Sequence, residues 1–554
     1  MRKPSNFLGY CIAAFLLLNL LASQFFYRFD FTQDQRYSLS ETSISLIDQI
    51  EQPLAVEVYL TGDLPSVFKQ LQLETRYLFE EYQAYNPKIK FTFIDPLDTK
   101  RPAEEVANIF YQRGMTPERL NMLQNGKTIE NWIFPWAEVN MGGKQIQIPL
   151  LQKKLGASNE ELVSRSIQNL EYQITNALVK LTRQKEKKVA VLRGKGQLED
   201  AYIADYIKEL GKYYRIAPFT LETLSDHPNE TLTELQKFDL IIDAKPTEQF
   251  TDAEKYCLDQ FIMNGGKAIW LTEQVMAEKD SLIKSGSTMA FPKQLDRYDL
   301  FFTYGIRINA SLVNDLYSAP IVLAQGQGNQ TQFNPFPWFY EPLADEASKH
   351  PIVGNLNAVH FNFANPIEFL ERKEIQQTPL LKSSDLTRLE GTPREIKLDQ
   401  IQEEEVNPES YRSGPQILAA LLEGEFTSLY FNRLLPFQND KHIDKSKFTQ
   451  QVVISDGDVI KNEVVKGQVM ELGFDRYTGN TYGNKDFLLN TANYLLGDED
   501  LVKLRSKSIK LPILSQEKIE ASQNAWKTIL LVGGLFIFGI ISFLFSYLRK
   551  RAYT

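Results

Sequence analysis

Apolar and polar positions change period repeatedly along the chain, and the changes mark its elements. Residues 54–60 (LAVEVYL) form a valine-rich, mostly apolar strand. Leu64, Val67, Phe68, Leu71, Leu78, Phe79 and Tyr82 then recur at helical spacing, and Asn86-Pro87 ends that helix. Residues 89–94 (IKFTFI) alternate as a half-buried strand does, and Asp95-Pro96 closes it. A β-α-β unit with a right-handed crossover is the economical arrangement. A helix over 103–113 follows. Strands over 132–141 and 144–150 then flank Gly142-Gly143, a two-residue hairpin signal. A long helix carries Val163, Ile167, Leu170, Ile174, Ala177, Leu178 and Leu181 on one stripe.

This order looks similar to a thioredoxin-like domain over 28–184, without the Cys-x-x-Cys that dithiol chemistry requires. Residues 184–188 (QKEKK) read equally as a hinge or as a solvated helix end. A second α/β unit, 185–500, begins with a buried strand at 189–192. A helix face of Tyr202, Ile203, Tyr206, Ile207 and Leu210 comes next, and then a strand over 238–244. Thr251 and Glu254 form a capping box that opens a helix packing Cys257, Leu258, Phe261 and Ile262. Asn264-Gly-Gly266 stops it before a strand at 268–271. Further strands are predicted at 416–422 and 451–455, with a helix over 484–496. The alternation predicts a doubly wound, mostly parallel sheet. An irregular insertion is expected near 288–413, where periodicity weakens and Pro, Asn and Gln are common.

The two ends differ from this body. Residues 7–27 and 526–547 are uncharged in their interiors, apart from Lys527 at the edge of the second, and each has the roughly 20 residues that cross a bilayer. Arg2 and Lys3 precede the first segment, and Arg549, Lys550 and Arg551 follow the second. That pattern predicts a transmembrane helix at each end, cytoplasmic tails at 1–6 and 548–554, and a juxtamembrane linker at 501–525. The body would then lie in the periplasm, held at the bacterial inner membrane with the lipid bilayer as a partner. The alternative for the first segment is a cleaved signal peptide. Its length and the bulky Phe25-Phe26-Tyr27 end argue against cleavage.

Composition narrows the chemistry. The formal net charge of −9 gives no reason to expect nucleic acid. Cys11 and Cys257 lie in different predicted environments, so a disulfide is not expected. His227, His350, His360 and His442 have no ligand spacing, and the chain has no P-loop. Catalytic residues, a metal site and a cofactor are therefore not predicted, and the chain reads as a non-enzyme. One constellation remains. Ligands of doubly wound sheets bind beyond the carboxyl ends of the strands. Three predicted turns fall there: Gly194-Lys195-Gly196, Thr272-Glu273, and Asp456-Gly457-Asp458. Lys195, Glu273, Asp456 and Asp458 are the candidate ligand or partner contacts. The plainer alternative is Gly-rich turns with charged surface residues.

Several segments carry a family resemblance over nearly the whole chain: RYSLS at 36–40, NLEY at 169–172, DQFIMNGG at 259–266, FFTYGIRI at 301–308, TPLL at 378–381, VISDGD at 453–458 and YGNKDFLLN at 482–490. Together they resemble the gliding-motility-associated ABC transporter auxiliary proteins of the GldG type. The turn at Gly194 departs from that family's Gly-His-Gly-Glu, with Lys195 and Gln197 in the His and Glu places. The resemblance implies a multispanning permease and a separate cytoplasmic ATPase as partners. It implies a substrate-binding-like auxiliary subunit acting as an interaction or scaffold component. The alternative is a solute-binding or sensing module of the same transporter. An enzyme on an amidotransferase-like sheet ranks last, because no nucleophile sits on a strand-to-helix elbow.

Overall fold

The computed structural model describes residues 14–15, 38–124, 127–325, 332–399, 407–505 and 516–553. The chain divides into two compact units, Met1–Lys507 and Ser508–Thr554.

The first unit contains a small sheet in the order Ile89–Phe93, Leu54–Val58, Trp136–Met141, Lys144–Pro149. The first pair is parallel and the others antiparallel. Leu54, Val56 and Val58 point inward on alternate positions, as the period of a half-buried strand requires. A further hairpin, Glu118–Gln124 with Lys127–Ile133, was not predicted; its last two residues fall in the predicted strand 132–141, which is split before Trp136. Its polar sequence (ERLNMLQ) has little apolar alternation to reveal it.

The helix Asn159–Thr182 is shared. Ser158 caps it by accepting from the Glu161 N–H. On one side Thr175 bonds the Tyr82 hydroxyl at 2.7 Å, and Glu171 accepts from the Ser43 hydroxyl at 2.8 Å. On the other side Tyr172 and Val179 enter the core of a larger sheet, and Asn176 accepts from the Tyr213 hydroxyl at 2.6 Å.

The larger sheet has eleven strands. Its parallel part runs Arg215–Thr220, Lys188–Arg193, Leu240–Ala244, Lys267–Leu271, Thr449–Ile454. Val189 and Val191 face one core while Ala190 and Leu192 face the other, which is why the run reads as continuously apolar. The helices Asp200–Leu210 and Asn484–Leu495 contribute to the first core, and Asp252–Met263 to the second. Arg215–Thr220 was not predicted as a strand. It is an edge and carries Pro218, a residue tolerated there because no ladder donor is needed on the outer side.

The expectation of a mostly parallel sheet is corrected. Parallel pairing stops at Thr449–Ile454. Ile417–Gly424, Ile375–Lys382, Leu343–Glu346 and Val359–His360 continue the sheet antiparallel, and Ile367–Phe369 and Ile306–Ile308 attach beside them. Among the described residues between 306 and 424 no crossover helix of the kind parallel neighbours need is present, and the pairing there is antiparallel.

The expectation of a transmembrane helix at each end is also corrected. No helix among the described residues is long and apolar enough to cross a membrane. Segment 7–27 lies outside the described residues except for Ala14 and Phe15. Segment 526–547 falls within the helix Gln516–Tyr553 of the second unit. That helix begins with charged Glu517, Lys518 and Glu520 and ends with Arg549, Lys550 and Arg551.

Candidate functional site

The carboxyl ends of the parallel strands bring together Glu273, Asp456 and Asp458. One carboxylate oxygen from each lies within 4.8 Å of the others. Glu273 follows Lys267–Leu271, and the two aspartates follow Thr449–Ile454, so adjacent parallel strands place them side by side. Asp456 accepts from the Asp458 N–H at 2.7 Å and from the Asn362 N–H at 2.6 Å. These two bonds fix the turn and tie it to the antiparallel half of the fold.

At the centre of the cluster sits Lys245, at the end of the neighbouring strand Leu240–Ala244. Its ammonium lies 2.7 Å from Asp458 and 3.3 Å from Glu273, and its side chain is only 6% exposed. Lys293 approaches the other Glu273 oxygen at 3.8 Å, and Lys461 approaches Asp458 at 3.9 Å. Lys245 has φ +56°, an uncommon left-handed backbone for a non-glycine residue, which turns the chain sharply out of the strand. Gly457 allows that turn to pack. A Cβ there would lie 2.4 Å from Cβ and Cγ of Lys245.

The electrostatics follow from burial and from these lysines, Lys245 foremost. Burial opposes the charge on Lys245, but Asp458, Glu273 and Glu278 override it and hold the ammonium above the usual lysine range. Burial likewise raises Asp458, but Lys245 and Lys461 pull its carboxyl below its ordinary value. Asp456 is pushed well up by burial, reinforced by the charges of Asp458 and Glu273. Glu273 is raised chiefly by burial, with Lys245 and Lys293 opposing. Three carboxylates in one place have the donor chemistry of a hard-cation site. Here the chain's own ammonium occupies that role.

Lys195, the remaining candidate, lies apart from the cluster. Gly194 and Gly196 take positive φ (92° and 65°), and the turn folds inward. Lys195 pairs with Glu254 at 2.8 Å and donates to the Gln249 carbonyl at 3.1 Å. Gln197 accepts from the Lys195 N–H and donates to Asp243 at 3.0 Å. Asp243 in turn pairs with Arg297, and both side chains are wholly buried. The Arg297 guanidinium lies 4.3 Å from the Phe250 ring centroid and donates to the Thr272 hydroxyl. This end of the sheet is thus closed by internal ion pairs at two places.

Lys245, Asp243 and Arg297 were not among the residues singled out from sequence. Lys245 had a usable signal: it directly follows the apolar run 238–244 and occupies a strand end like the three turns considered. Asn362, Lys293 and Arg297 come from the aperiodic region, where no pattern pointed to them.

Comparison with known proteins places this architecture. Residues 33–140 match a domain of unknown function. An uncharacterized protein of Borreliella burgdorferi is 22% identical over 528 residues, covering 94% of this chain and 93% of that protein. Among solved structures, the mmIFT52 N-terminal domain aligns at a TM-score of 0.31 and 14% identity, over 56% of this chain and 98% of that one. A putative ThuA-like protein from Parabacteroides merdae aligns at 0.29 and 10%, over 60% and 94%. Residues 186–491, which contain the larger sheet and both strand-end ion-pair groups, match the family described as an ABC-type uncharacterized transport system. The chain belongs to this family of auxiliary ABC-transport proteins.

Proposed function

We propose that the protein is a non-catalytic interaction subunit of an ABC-type transport complex, of the GldG type and linked to gliding motility. It contacts a multispanning permease, and a separate chain supplies ATP hydrolysis. One observation carries this reading beyond the family assignment: at the carboxyl ends of the parallel strands, the side of such sheets where ligands ordinarily bind, Lys245 is held in ion pairs with Glu273 and Asp458. A body whose ligand crevice is occupied by its own ion pairs is suited to present surfaces to partners. A solute-binding or sensing module would need that crevice open.

Purification of the full chain from its native cells in mild detergent, with mass spectrometry of what accompanies it, tests the reading. The expected result is stoichiometric recovery of a permease and an ATPase subunit. A chain that purifies alone at every detergent strength, with no crosslink to either subunit in intact cells, refutes it.

A further inference from the structure

A different cavity opens at the opposite, amino-terminal end of the parallel strands. Its volume is ≈260 Å³, and it is lined by Lys187, Asp239, Lys267, Asn264, Phe238 and Phe261 among others. Lys267 begins the strand Lys267–Leu271, and Asp239 immediately precedes Leu240–Ala244. The helix stop Asn264-Gly265-Gly266 forms the rim. Gly266 is required there because a Cβ would lie 2.4 Å from the Phe261 ring.

The charges in this cavity do not balance. Lys187 pairs with Asp239 at 2.9 Å, so those two cancel. The Lys267 ammonium donates to the Leu495 carbonyl, and among the described residues no carboxylate lies within ion-pair distance of it. An ammonium has three donors. Lys267 is therefore a half-buried cation with donor capacity to spare, facing a second lysine. Burial, and then the nearby charge of Lys187, lower its pKa, and the more distant charges of Asp239 and Glu499 oppose this without overcoming it. The carboxamide of Asn264 adds neutral donors at the rim, and the partly buried Phe238 supplies a small apolar patch.

We propose that this cavity binds a small organic carboxylate, whose single negative charge is taken by Lys267. A monoanion matches the single net positive charge of the lining residues Lys187, Asp239 and Lys267, whereas a dianion would leave an excess. The Phe238 side of the cavity leaves room for a short carbon skeleton. The volume lies below the roughly 300–1,000 Å³ of drug-sized ligand sites, so the ligand has only a few heavy atoms. This goes beyond the interaction role proposed above and does not depend on it, because it concerns the other end of the sheet.

Titration calorimetry of the full chain against acetate, lactate and benzoate, with inorganic phosphate as a separate arm at constant ionic strength, tests the site. The expected result is saturable binding of at least one carboxylate. Lys267→Met should weaken it about tenfold or more, the scale of a lost charge-assisted bond. Lys267→Arg should retain binding. Asn264→Leu, at an exposed rim position, should weaken it even where Lys267→Met fails to fold. Binding of phosphate but no carboxylate overturns the assignment. So does the absence of saturable binding by any carboxylate, or equal affinity in wild type, Lys267→Met and Asn264→Leu.

Discussion

Replacing Lys245 by methionine removes one ammonium from the strand-end cluster and little else. Methionine keeps most of the stem's volume, and any non-glycine residue meets the same left-handed backbone at φ +56°. Side-chain exposures of 6%, 4% and 12% at Lys245, Glu273 and Asp458 leave little water to screen what remains. Removing one member of a buried pair costs about 3–5 kcal/mol, because the other charge stays buried without compensation. Lys293 still reaches Glu273 at 3.8 Å, and Lys461 reaches Asp458 at 3.9 Å. These contacts place the expected loss near the lower end, about 3 kcal/mol at pH 7. Urea unfolding at 25 °C, followed by far-ultraviolet circular dichroism, reads this as a lower midpoint at unchanged slope. Asp458→Asn should cost less in the Lys245→Met background than in wild type, since it removes a charge that has already lost its main partner. A loss under about 1 kcal/mol, or strict additivity of the two substitutions, would refute the claim that Lys245 holds the cluster.

Three further outcomes follow from neighbouring groups. The folded-state pKa of Asp456 is raised, so its stabilising contribution is complete below the ordinary aspartate value of 3.8 and is lost as pH rises through the folded value. Asp456→Asn should therefore flatten the decline in thermal midpoint as pH rises above 3.8, and an unchanged slope would count against a raised Asp456 pKa. Arg297→Met strands the fully buried Asp243 and should cost about 3–5 kcal/mol by the same denaturation assay, with Asp243→Asn restoring part of the loss. Cys257 is buried and its thiol is pushed up to about 12, so iodoacetamide should leave it unlabelled in the native protein and label it in urea, as read by peptide mass spectrometry.

The spacing of apolar residues determined much of the helical and parallel-strand layout. Thr251 and Glu254 form the capping box their spacing announces, and the helix runs from Asp252 to Met263. Such signals are local, because they depend on the period of one element and the chemistry of its ends. Pairing direction is not local. The residues of Ile417–Gly424 suit a buried strand of either kind. The connection 425–448, which carries no crossover helix, returns the chain antiparallel as Thr449–Ile454. The apolar stretch at 526–547 likewise suggested a span from composition, and the described helix containing it does not supply one.

The same division runs through the candidate site. Sequence alone determined that Glu273, Asp456 and Asp458 stand just beyond predicted strands, because each follows an apolar run directly. Whether they meet one another, and what charge stands among them, was decided by strand order. Leu240–Ala244 lies next to Lys267–Leu271, which lies next to Thr449–Ile454, so residues 245, 273 and 458 converge from distant parts of the chain. Lys195 stands beyond its own strand in the same way, yet Glu254 and Gln249 claim its ammonium. Ion pairing acts over a few ångströms in space whatever the separation along the chain, so the tertiary fold chose which lysine entered the cluster.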